Sequence, residues 1–398
     1  MPGKDGLELF HGHARTGQRT SADLLIGGPG GRDAVEAVIE AGLEQQRNVD
    51  HRELGTRGFG VCKELADPRP DQWMNGGLEL LKPLGLLDDP LCEVRPVDRA
   101  IVANSGEKCL DRRDGVAAVK LMHSVVGIHK DKKLPSFAAK TFEAQFAGRH
   151  KTPEGEPAAK IAFFSTCYVN YNQPEIGTDT LDVMAHNNVD VSFAYERCCG
   201  MPLWHNGDMD GAIEAAKQNV ASLSVHMNEG RKIIATNPSC SQMIRVEYPR
   251  LLGTDEAKKL AAQTMDPMEF LAGLASRGKL KKDFKSGAGN ISYHMPCHLR
   301  AQNVGYKTRD VLALLPDTTV KVVEECSGHD GTWAMKKGNF EQSLKWGSRA
   351  FSAMAADNPK VTCSDCPLAA IQIEQGNGRR PLNPMQILAK SYRGEPID

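Results

Sequence analysis

From about residue 158 onward, short β-branched or aromatic runs alternate with segments in which apolar residues recur every three or four positions. The runs are KIAFF at 160–164, VDVSF at 189–193, KIIA at 232–235, NISYH at 290–294, TVKVV at 319–323 and KVTC at 360–363. Each predicts a buried parallel strand. Between them, Met209 to Met227 and Asn339 to Ala356 carry the helical spacing. Strand alternating with helix predicts an α/β fold with a parallel sheet and crossover helices.

The words repeat as well as the periods. KIAFFSTC pairs with NISYHMPC, VDVSFAYERCCG with TVKVVEECSG, and KIIATNPSC with KVTCSDC. The chain therefore holds an internal repeat, read as two pseudo-symmetric lobes over 158–278 and 288–396. A Lys-rich stretch at 276–289 joins them and is read as a solvated linker. Residues 101–157 form a helical connector whose polar end, KTPEGEP at 151–157, serves as a hinge. Residues 1–100 are weakly periodic, with helical candidates only at Asp33 to Leu43 and Met74 to Leu87, and are read as mostly helical or irregular. The Gly-rich stretch LLIGGPGGRDAVEA fails the dinucleotide fingerprint, because Asp33 stands where its third glycine belongs, and no Gly-Lys-Ser/Thr follows. It is read as a turn before a helix.

The repeats place cysteines at the ends of their apolar runs. The first supplies Cys167, Cys198, Cys199 and Cys240, the second Cys297, Cys326, Cys363 and Cys366. Strand ends are where open α/β folds gather ligands, and four thiols are the number that completes a [4Fe–4S] cluster. Four thiolates also make a closed zinc site, so zinc in one repeat stays an alternative. Helices starting after Cys240 and Cys366 would aim positive dipole ends at the anionic centre. His205, His294, His298 and His329 flank the cysteines and are read as hydrogen-bonding the loops or sulfur atoms, with ligation or proton transfer as alternatives. Lys336 and Lys337 are read as a solvated helix start. Cys62, Cys92 and Cys109 show no ligand spacing and are read as buried or incidental thiols.

Composition narrows the class. With 398 residues and 40% hydrophobic content there is ample core for two or three domains. A formal net charge of -1 gives no basis for a nucleic-acid partner. No charged-then-apolar leader and no run of eighteen apolar residues occurs, so neither a signal peptide nor a membrane span is expected. The eleven cysteines then fit a cytoplasmic chain with reduced or metal-bound thiols. No Ser-His-Asp order or His-Glu-x-x-His run supports a hydrolase.

The words ERCCGMPLWHNGD, NPSCSQMIRVEYPRLLG, YHMPCHLRAQNVG and CSDCPLAAIQIEQG resemble the cysteine-rich CCG-domain family of iron–sulfur oxidoreductases, which includes heterodisulfide reductase subunits and anaerobic glycerol-3-phosphate dehydrogenase C subunits. The resemblance covers about 158–396, with HKDKKLPSFAAKTF in the connector similar too. It implies two [4Fe–4S] clusters and electron transfer from a dehydrogenase, ferredoxin-like or rubrerythrin-like redox partner to a quinone. The cytoplasmic face of the inner membrane would then be a fitting place. Family repeats carry up to five cysteines; here Asn237 is read as replacing the first of Cys-x-x-Cys, and Ser327 the second of Cys-Cys-Gly. That loss favours relay over disulfide chemistry, leaving a heterodisulfide reductase-like enzyme or a zinc-stabilised scaffold as alternatives. No Cys-x2-Cys-x2-Cys-x3-Cys-Pro run occurs in 1–157, so a separate ferredoxin-like partner supplies electrons or residues 1–100 replace that module.

Overall fold

The computed structural model describes residues 123, 124 and 127–398. The helical candidates at 33–43 and 74–87, the Gly-rich stretch, Cys62, Cys92, Cys109 and most of the first half of the 101–157 connector lie outside the described residues.

Each repeat builds one parallel sheet. In the first, β1 (Ala159–Phe164) is central, flanked by β2 (Val189–Phe193) and β3 (Lys232–Ala235), with the short β4 (Thr264–Met265) beyond β3. The second repeats the order, with β5 (Gly289–His294) between β6 (Thr318–Val323) and β7 (Val361–Ser364). Ile161 to Phe164 on β1 are buried on both faces, as a central strand covered by helices requires. The expected long helices form at Met209–Asn228 and Phe340–Ala355, the first capped by the Asp208 side chain on Gly211 N.

The repeats interlock through their last helices. DPMEFLA at 266–272 and NPMQILA at 383–389 are related words, each with proline in the first turn and a polar residue at the N-cap. Helix Pro267–Ser276 of the first repeat packs on Lys307–Leu312 of the second, whereas Pro384–Arg393 of the second packs on Pro174–His186 of the first. A single apolar core consequently runs through both, joining Ile161, Phe163 and Leu181 to Tyr293, Leu312 and Leu388. The lobes are fused by this exchange.

The stretch read as a solvated linker is held in place. Its lysines remain exposed, but Lys281 N donates to Asn187 Oδ1 at 2.8 Å, Tyr392 OH donates to Lys281 O at 2.6 Å, and Leu280 is buried. Similarly, Lys336 and Lys337 do not open a helix. Their backbone pairs with Ile128 and Gly127 of the connector, and the helix begins at Phe340.

Candidate metal centre

The four cysteines of the first repeat converge. Cys167 follows β1, where Thr166, at φ 76, turns the chain off the strand into a short helix. A β-branched residue seldom adopts that backbone, so packing must hold the turn. Cys198 and Cys199 follow β2, and Cys240 sits inside Pro238–Gln242, the helix after β3. Cys199 Sγ lies 3.2 Å from Cys240 Sγ. Cys167 and Cys199 both hydrogen-bond the Cys198 sulfur. Those bonds, with the Gly200 amide and the Arg197 charge, hold the Cys198 thiol well below its ordinary range, while contacts with neighbouring thiols and burial push Cys167 and Cys199 up. The cluster thus favours a thiolate within it, the form that binds metal.

Two residues not singled out in the sequence fix the Cys198–Cys199 turn. Asn219 Nδ2 donates to Cys198 O at 3.0 Å and to Tyr248 OH at 2.9 Å; Tyr248 OH in turn donates to Cys199 O at 2.8 Å. Both residues are buried. A polar Asn among the apolar positions of helix Met209–Asn228 was the available signal. Gly200, at φ 86, passes against Ala215, where an added Cβ would stand 3.0 Å from the alanine methyl.

The second repeat brings together three of its four cysteines. Cys297, Cys326 and Cys366 line a cavity of about 110 Å³. Cys297 and Cys326 are exposed and Cys366 is buried. Burial pushes the Cys366 thiol up to about 12, partly offset by the Ala369 amide, which donates to its sulfur at 3.4 Å. Cys363 is elsewhere. It lies within β7, fully buried opposite Tyr293, in the apolar core.

Strand register explains why and corrects the pairing of the repeat words. Phe163 on β1 pairs with Ile234, and its counterpart Tyr293 on β5 pairs with Cys363. Cys363 therefore corresponds to Ile234, an inward core position. Counting onward, Cys366 corresponds to Asn237, and both cap a helix that begins with proline. Cys240 corresponds to Ala369, and Cys199 to Ser327. Asn237 thus stands opposite Cys366, where word matching had set it opposite Cys363.

The histidines divide by partner. His294 uses both ring nitrogens, at 3.1 Å from Ser364 Oγ and 3.1 Å from Glu325 O, and burial lowers it to about 4. His298 Nδ1 lies 2.8 Å from Ser239 Oγ, across the junction between repeats. Gln302 Nε2 donates across the same junction to Ser241 Oγ at 2.9 Å. The helices carrying Cys240 and Cys297 are thereby braced together. His205, from the first repeat, and His329 also line the cavity. Beside His329, buried Lys132 donates to Gln372 Oε1.

The donor set of the first repeat fits a thiolate-bound metal group, because four soft ligands meet beyond the ends of β1, β2 and β3. The second repeat offers three thiols around a cavity. Among the described residues no three His, Cys, Asp or Glu side chains are already arranged around a single ion. No described helix is long and apolar enough to cross a membrane.

Residues 161–245 and 291–374 each match the family model for the cysteine-rich CCG domain. The chain carries this domain twice. It is 28% identical over 275 residues to the C subunit of anaerobic glycerol-3-phosphate dehydrogenase from Escherichia coli K12, spanning 68% of this chain and 69% of that protein. It is 28% identical over 195 residues to lactate utilization protein A of Bacillus pumilus, spanning 46% of this chain and 79% of that protein. It is also 24% identical over 264 residues to the B subunit of the CoM/CoB fumarate reductase from Methanothermobacter marburgensis, spanning 65% of this chain and 50% of that protein.

Proposed function

We propose that this chain, with its two CCG domains, is an iron–sulfur electron-transfer subunit of an oxidoreductase, passing electrons from a dehydrogenase or other redox partner to a quinone-type acceptor. The convergence of Cys167, Cys198, Cys199 and Cys240 at the ends of β1, β2 and β3 carries the reading. Relatives that are subunits of dehydrogenase and reductase complexes support the redox role and the need for a partner.

In this reading those four thiolates hold one [4Fe–4S] cluster, and Cys297, Cys326 and Cys366 hold a second. Such a cluster, when bound, supplies a one-electron relay at a potential set by its surroundings. The protein's part is positional. Asn219 and Tyr248 fix the turn that carries two thiols, Tyr195 and Phe164 pack beside the site, and the Ser239–His298 and Gln302–Ser241 bonds hold the two sites in fixed relation. A cytoplasmic location, peripheral to the inner face of the membrane, is consistent with a chain of this composition serving a quinone.

The loss of thiols at Asn237, Ser327 and Ala369 favours relay over disulfide reduction. Stopped-flow mixing tests it. Chemically reduced protein is expected to be oxidised by a quinone analogue while leaving a thiol disulfide largely intact; catalytic turnover of the disulfide by the isolated chain would reverse the choice.

A further inference from the structure

The second repeat sets three thiols around a cavity, and the two positions where the first repeat has further cysteines are Ser327 and Ala369. Cys363 cannot make up the set, since it points into the apolar core from β7. The cavity of about 110 Å³ exceeds the volume of one water several-fold, so it has room for a group larger than a single ion. Among the described residues, a fourth donor has to come from the remaining wall.

Three histidines of this repeat share that wall, and their partners sort them. His294 has both nitrogens bonded within its own repeat, whereas His298 turns Nδ1 to Ser239 across the junction and keeps Nε2 without a partner among the described residues, which makes it the rival that the experiment must separate. The His329 ring has no hydrogen bond among the described residues, although the ring is half-buried. Its backbone is held firmly. His329 follows Gly328, whose φ of 72 and close approach to Ser343 O, 2.0 Å from an added Cβ, lock the turn that also carries Cys326. We propose that His329 supplies the fourth ligand of the second centre, which makes that centre a three-thiolate, one-imidazole [4Fe–4S] cluster unlike the four-thiolate centre of the first repeat. This inference rests on the iron–sulfur reading above. Replacing a thiolate by a neutral imidazole removes one negative charge from the centre, which favours the reduced state.

Pulsed EPR of the reduced, anaerobic full chain tests it, with Cys240→Ala used to remove the first centre. A nitrogen coupling that changes on [15N]histidine labelling is expected, persisting in His298→Gln and vanishing in His329→Gln. His329→Gln should also lower second-centre iron at least twofold, and His329→Gln/Ala369→Cys should restore the iron without the coupling. Iron in the second centre without a histidine coupling, or a coupling that survives His329→Gln, overturns the assignment. Iron in the wild type that vanishes entirely in Cys240→Ala overturns it too, while leaving the first centre standing. Absence of iron from the wild type itself overturns the iron–sulfur reading and the ligand assignment together.

Discussion

In the first repeat the cysteines touch one another, whereas in the second they stand around a cavity with histidines between them. The scaffold is the same in both, three parallel strands in the same order with the same register. What differs is the residue placed at three equivalent points: Cys199 against Ser327, Cys240 against Ala369, and Asn237 against Cys366. A shared fold thus presents two donor sets, and the chemistry of each follows from local substitutions rather than from topology. The pair Asn237 and Cys366 makes the point most clearly. Each caps the helix after the third strand, the amide oxygen accepting from Ser239 N and the sulfur from Ala369 N. The position serves the helix either way, but only the thiol adds a soft donor.

Removing one thiol from each repeat separates the two donor sets most clearly. Cys240→Ala should abolish first-centre iron, roughly halving total iron per chain, because it takes one of four converging ligands. Cys363→Ala should leave iron unchanged and lower stability by about 1–2 kcal/mol, the cost of truncating a small buried side chain. Iron content and urea midpoints measured on both variants separate the roles; an iron loss in Cys363→Ala would return that residue to the site.

The glycines after the cysteines offer a graded test. Gly328→Ala puts a Cβ 2.0 Å from the rigid carbonyl of Ser343 at positive φ, so it should cost more than about 2 kcal/mol and reduce second-centre iron. Gly200→Ala meets Ala215 at 3.0 Å and should cost less. Comparable losses in the two variants would mean that the turns are held differently from the contacts described.

At the junction, burial and then the nearby Asp365 push the Asp266 carboxyl up to about 8, above its ordinary 3.8. The folded chain then keeps a proton that the unfolded chain releases. The resulting stabilisation is full below about pH 4 and is lost as pH rises through about 8. Asp266→Asn should flatten the decline between about pH 5 and pH 8.5 by on the order of a few kcal/mol, read from urea midpoints. The smallest effect expected is at Asn237. Asn237→Ala should cost about 1 kcal/mol through loss of the cap and leave iron intact.

The strands and long helices were legible because parallel strands buried on both faces and amphipathic helices leave strong periodic marks, as at Ile161 to Phe164 and Met209 to Asn228. The convergence of the first repeat's cysteines was legible for the same reason, since they close those runs. Cys363 was misplaced because Cys-Ser-Asp-Cys looks like a ligand pair, and only the pairing of Tyr293 with Cys363 shows that the first cysteine is still inside the strand. A slip of three residues in matching repeat words is invisible in spacing alone. The exchange of terminal helices was likewise hidden, since it depends on which surfaces meet, although DPMEFLA and NPMQILA recorded it in outline. Asn219 and Tyr248 escaped notice because a buried polar clamp requires the partner carbonyls to be seen.

Iron and acid-labile sulfide, measured together with zinc on anaerobically purified full chain, decide between iron–sulfur clusters and zinc. About eight iron and eight sulfide per chain, with broad absorbance near 400 nm and little zinc, is the predicted result for two four-iron clusters. Stoichiometric zinc without sulfide, in a colourless protein, would contradict it and make the chain a metal-stabilised scaffold.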